Sequence, residues 1–138
     1  MITPEDIRKR MGVQVKGICK DIYPQYRPNA VTEKLTEFIV VSLPYSEVRR
    51  TLSEDDDWWL DMTVVYEIYV ADRKSASNPK LLNDVRMKEL REALYATFPM
   101  VDETLGIKIT RPRCVIPASS DGNGYHYTRI QAKMTTMV

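Results

Sequence analysis

The sequence predicts an α+β domain: a mainly antiparallel sheet of about four strands with two helices packed on one side, in the order α-β-β-α-β-β. Three observations carry this reading. Two stretches repeat apolar residues at three- and four-residue steps, the spacing of an amphipathic helix. One long stretch, Trp58 to Arg73, alternates with the period of two that belongs to strands. A run of turn-forming residues, Ser119 to Gly124, joins two further strand-like segments near the end.

Each element has a local cause. Thr3 is placed to cap a first helix, Pro4 suits its first position, and Glu5 and Asp6 favour its positive dipole end. Ile7, Met11, Val15, Ile18 and Ile22 then form one apolar stripe, which Gly12 and Gly17 weaken, and Pro24 and Pro28 end the helix in an extended connection. Glu37 to Leu43 reads as a strand stopped by Pro44, and a polar, charged loop leads to the long strand. There Trp58, Leu60, Met62, Val64, Tyr66, Ile68 and Val70 share one face. Asn78 and Pro79 signal a second helix, with Leu82, Val85, Leu90, Ala93, Leu94 and Phe98 as its buried stripe and Pro99 as its stop. Gly106 to Ile116 and Tyr125 to Met137 are the last two strands. Gly, Asn and Asp between them tolerate the positive φ of a tight turn, while Pro112 inside the third strand points to an edge or a bulge.

With 138 residues the chain is expected to form a single domain, 1–138, large enough to hold a core without disulfide or metal. Apolar residues make up 43% and charged residues 28%, which argues against disorder. A net charge of +1 excludes a uniformly basic nucleic-acid binder. The start of the chain lacks the basic and apolar regions of a signal peptide, and no apolar run is long enough for a membrane span. Cys19 and Cys114 read as reduced thiols of a cytosolic protein, although a disulfide between them stays open.

Catalytic chemistry finds little support. His126 is the only histidine, and one histidine cannot make a metal cluster, so a structural role at a strand end is expected. Cys114 paired with His126 across the last hairpin is the one nucleophile–base arrangement available. The run Glu54, Asp55, Asp56, Asp57 lacks the alternate spacing of a calcium loop and reads as a solvated acidic loop. Gly122-Asn123-Gly124 joins two strands rather than opening a helix, which makes it a turn and not a nucleotide loop. No cofactor and no metal are expected, and the chain reads as a non-enzyme.

Charge placement is more informative. From Pro44 to Asp61 two basic residues stand against six acidic ones, a net −4; from Gly106 to Val138 five basic residues stand against one, a net +4. Such segments can pair within one subunit or sit in water. Alternatively, the acidic loop of one copy meets the basic hairpin of the next, and a contact between two unlike patches generates a ring when the rotation closes. The candidate subunit interface is then Arg49, Arg50, Asp55, Asp56 and Asp57 on one side, with Arg111, Arg113, Arg129 and Lys133 on the other. Arg111, Arg113, Arg129 and Lys133, with Tyr127 nearby to stack on a base, also admit a nucleic-acid reading, and Tyr127, Arg129, Gln131 and Lys133 share a strand face, without any recognised binding motif beside them.

The layout resembles that of the tail terminator (tail completion, head–tail joining) proteins of long-tailed phages and prophages. The shared pattern is a short amphipathic N-terminal helix leading through Tyr23-Pro24 to a strand, then a loop-rich hairpin ending in the aromatic strand Trp58 to Arg73. One helix from Leu81 to Phe98 and a closing hairpin complete it. The resemblance lies in element order, length and texture, with no short diagnostic motif. It implies a non-catalytic virion assembly protein forming a ring, usually six-fold, that caps the tail tube and joins it to the head-side connector. It also implies residence in the cytoplasm during assembly and in the virion tail afterwards. Other head–tail adaptors and a small nucleic-acid-binding module are the alternatives.

Overall fold

The structure, a computed structural model, describes residues 4–24, 35–43, 49–52, 58–73 and 81–136, with residues 4, 49–52 and 58–61 described by backbone alone. Helix α1 (Pro4–Val15) opens the chain, and the proposed cap Thr3 lies outside the described residues. Strands β1 (Ile22–Pro24), β2 (Glu37–Ser42), β3 (Arg49–Leu52) and β4 (Trp58–Ala71) follow. Helix α2 (Asp84–Tyr95) then precedes β5 (Met100–Asp102), β6 (Ile107–Ser120) and β7 (Tyr125–Thr136).

The α+β class stands, but the expectation of about four mainly antiparallel strands does not. Seven strands form one mixed sheet in the order β1-β2-β4-β7-β6-β5, with β3 also paired to β4. The additional strands are β1, β3 and β5, of three or four residues each, too short to show a period in sequence. Strand β1 runs parallel to β2, Ile22 beside Ile39, which makes the sheet mixed. The chain therefore turns earlier than the apolar stripe suggested. Helix α1 ends at Val15, where the amides of Ile18 and Cys19 turn back onto the Val15 carbonyl, and Ile22 belongs to the sheet.

One face of the sheet carries both helices. Ile7, Met11 and Val15 of α1 and Met87, Leu90 and Leu94 of α2 pack against Ile39, Val41, Val64, Tyr66, Ile68, Ile107, Ile109, Ile130 and Met134. Fully burying such side chains stabilises the fold by roughly 1.5–3 kcal/mol each. Helix α2 begins later than expected, because Asn83 is its cap and accepts from the Arg86 amide at 3.3 Å, whereas Asn78 and Pro79 lie outside the described residues. That start turns Met87 inward and leaves Val85 67% exposed, against the stripe expected from the sequence. On the other face, Phe38, Val40, Tyr69 and Tyr125 form a smaller cluster. Its rings stack, Phe38 on Tyr69 at 4.6 Å and Tyr69 on Tyr127 at 5.4 Å.

Candidate functional site

Three features of the surface bear on function, and each follows from strand register. The first lies on the sheet face opposite the helices. Thr63 pairs with Lys133, Val65 with Gln131 and Glu67 with Arg129 across β4 and β7, so these residues line up on one face. Beside them β6 shifts register between Thr110 and Arg113, which makes a bulge. Arg111 occupies this bulge with φ 57°, a left-handed conformation uncommon for a non-glycine residue. Pro112 follows from the same cause: beyond Thr110, no described strand pairs the outer edge of β6, so a missing amide donor costs nothing there.

The result is a concavity of about 320 Å³ lined by Thr63, Arg111, Arg113, Gln131, Ala132 and Lys133. Three of the four basic residues singled out in sequence are thus brought together. The fourth, Arg129, is engaged elsewhere, donating from Nη2 and Nε to Glu67 Oε2 at 3.0 and 3.2 Å. Arg111 and Arg113 are exposed and form no ion pair among the described residues. Tyr127, the base-stacking candidate, is stacked on Tyr69 instead. The nucleic-acid reading therefore loses its aromatic and one of its cations.

The second feature is a two-stranded ribbon. Strand β4 pairs with β2 from Val65 to Val70 and with β7 from Asp61 to Ala71. Its first residues, Trp58 to Leu60, pair only with Leu52 to Arg50 of β3 among the described residues. The β3–β4 hairpin therefore forms one end of the sheet as far as the described residues show. The polar loop expected here contains this extra strand, and Arg49 and Arg50 are its first two residues. Asp55, Asp56 and Asp57 lie outside the described residues, in the five-residue link 53–57 that joins the two strands.

The third feature was not anticipated. The outer side of α1 and strand β1 enclose a groove of about 510 Å³, lined by Gly12, Val13, Ile22, Pro24 and Val41, with Arg8, Lys9, Lys16 and Lys20 as cations and Glu5 as the one anion. Val13 is 57% exposed there. Only the parallel pairing of β1 with β2 brings residues 22–24 beside Val41 to close this groove. The sequence signal available was the row of cations at positions 8, 9, 16 and 20, which reads as an ordinary solvated helix face.

The remaining candidates make contacts within the fold. His126 Nδ1 lies 2.6 Å from Asp72 Oδ1, both side chains largely buried, while the Asp72 amide donates to the Gly124 carbonyl at 2.9 Å. This links the end of β4 to the last turn. Cys114 approaches Thr128 Oγ1 and the Ile116 carbonyl at 3.4 and 3.2 Å, and Thr128 donates to that same carbonyl at 2.8 Å. Both cysteines are free, Cys19 buried and Cys114 exposed. Burial pushes the Cys19 thiol up. Among the described residues no three His, Cys, Asp or Glu side chains converge as metal ligands would. None of the described helices is long and apolar enough to cross a membrane. No protein-family model matches the chain, and no curated protein is significantly similar to it.

Proposed function

We propose that this chain is a non-catalytic assembly subunit of a phage or prophage virion, of the tail-terminator kind. It joins head-to-tail with copies of itself into a six-fold ring between the tail tube and the head-side connector. One observation carries the reading: the acidic run of the sequence, Glu54 to Asp57, falls in the link between the paired strands β3 and β4, away from the cationic surfaces of the chain. Cationic surfaces are offered elsewhere, on β6–β7 and along α1. Unlike patches of opposite charge are what a cyclic, head-to-tail contact requires. The long outer edge of β6 is itself a poor strand-pairing surface, because Pro112, Pro117 and repeated register shifts interrupt it. Any contact at the β6 edge is therefore made through side chains.

Light scattering after size exclusion tests this, over a wide range of protein concentration, at low and high salt, with and without purified tail tubes. A closed oligomer that dissociates in salt, or forms only on tubes, is the expected result. A chain that stays monomeric under all of these conditions and ignores the tubes overturns the proposal.

A further inference from the structure

We infer that the groove between α1 and β1 receives the acidic, tryptophan-bearing ribbon tip of a second copy of this chain. The inference rests on the assembly reading above and identifies which surface accepts the ribbon. The tip reads Ser53-Glu54-Asp55-Asp56-Asp57-Trp58-Trp59: four carboxylates followed at once by two large apolar rings. A surface that receives this stretch has to neutralise the acids and offer the aromatic residues apolar area to pack against.

The two cationic surfaces differ in that second respect. The β6–β7 concavity is polar, with Ala132 its one apolar side chain. It suits free carboxylates or phosphates and offers a tryptophan little to bury against. The α1–β1 groove has an apolar floor of Val13, Ile22, Pro24 and Val41 beneath a rim of Arg8, Lys9, Lys16 and Lys20. Lys9, Lys16 and Lys20 form no ion pair among the described residues, so their charge faces outward. Complementarity thus holds for both halves of the tip.

The β1 end of the groove lies far from the subunit's own Trp58. Pro24 pairs with Val41 and Val41 with Tyr66, eight residues along β4 from Trp58. At ~3.3 Å per residue Trp58 is about 26 Å away along a continuous strand. A second copy has no such constraint.

Two sets of charge reversals on exposed residues decide the matter in the full-length protein. Lys9→Glu with Lys16→Glu and Lys20→Glu removes the groove rim; Arg111→Glu with Arg113→Glu removes the β6 cations. The oligomer seen by light scattering, free or on tail tubes, is expected to be lost in the first set and kept in the second. A labelled peptide of residues 53–60 is expected to bind the wild-type protein and the second set alike. It should bind about tenfold more weakly to the first set, and more weakly when its tryptophans are alanine. Circular dichroism confirms that each variant is folded. An oligomer that survives the groove reversals, or one lost only with Arg111 and Arg113, overturns the groove as receptor and leaves the assembly reading in place. A wild-type chain that never associates, with or without tubes, overturns the assembly reading itself.

Discussion

Arg86 of α2 grips Glu37 of β2 as a two-pronged fork, with Nε donating to Oε2 and Nη2 to Oε1, each at 2.5 Å. The third guanidinium nitrogen donates to Glu89 at 2.9 Å, and these hydrogen bonds push the Arg86 pKa up. A planar fork on a planar carboxylate is geometry that lysine cannot reproduce. Arg86 is about a third exposed, so solvent screens much of the interaction. Arg86→Ala should cost about 1–2 kcal/mol, and Arg86→Lys should recover less than half of it. Urea denaturation of both variants, closed into a double-mutant cycle with Glu37→Gln, measures this.

A buried polar link joins α1 to the middle of β4. The Tyr66 hydroxyl donates to Gln14 Oε1 at 2.6 Å, and Gln14 Nε2 donates to Thr97 Oγ1 at 2.9 Å. Tyr66→Phe leaves the Gln14 oxygen short of a donor and should destabilise by about 1–2 kcal/mol. Burial, the larger influence, pushes the Tyr66 pKa well above the ordinary tyrosine value. An ultraviolet titration should therefore show one tyrosine of the folded protein that stays protonated above pH ~11, until the chain unfolds.

Asp102, the last residue of β5, accepts from the Leu105 amide at 2.8 Å and from Arg10 Nε of α1 at 2.8 Å. The backbone hydrogen bond first, and Arg10 second, lower its pKa. A depressed carboxylate pKa contributes stability that is complete above the unfolded value, near ~4, and is lost as pH falls through the folded value. The difference in stability between wild type and Asp102→Asn should therefore be largest at neutral pH and vanish in strong acid. Thermal melts from pH 7 down to pH ~2 would show this convergence. Curves that stay parallel would contradict it.

How far the fold could be read in advance is clearest in β4 and its neighbours. Met62 to Val70 alternate so regularly that their face and partner side were legible, as was the Asp121–Gly124 turn that pairs β6 with β7. Strands β3 and β5 are set by their pairing with β4 and β6, and three or four residues hold no period to find. Ile18 and Ile22 kept the helical spacing of Ile7, Met11 and Val15, yet the turn after Val15 sends Ile22 into a parallel strand. The basic cluster was visible as a charge imbalance, but register alone shows that Arg129 is held by Glu67 while Arg111 and Arg113 are not. The groove beside α1 showed in the sequence only as cations at positions 8, 9, 16 and 20, because its far wall comes from residues 22, 24 and 41.

The two thiols should separate cleanly in reactivity. Cys114 is exposed and Cys19 is 3% exposed, with burial raising its pKa. The thiolate is the reactive form, so burial slows Cys19 twice, by blocking access and by keeping it protonated. Titration with a disulfide reagent at neutral pH should consume one thiol quickly and the second only in denaturant, and Cys114→Ser should remove the fast phase alone.

The backbone at Arg111 gives the sharpest separation of fold from function. Its φ of 57° costs a side-chain-bearing residue about 1 kcal/mol that glycine does not incur, partly offset by glycine's greater freedom in the unfolded chain. Arg111→Gly should thus leave stability unchanged or raise it by up to about 1 kcal/mol, whereas Arg111→Ala keeps the strain and should be near neutral. Both remove the guanidinium from the β6–β7 concavity. Under the groove assignment both variants also assemble as the wild type does. Thermal unfolding and light scattering on this pair therefore ask separate questions. A destabilised glycine variant would show that the Arg111 side chain, rather than the turn it sits in, holds the bulge together. A stable variant that fails to assemble would return the ribbon's contact to β6.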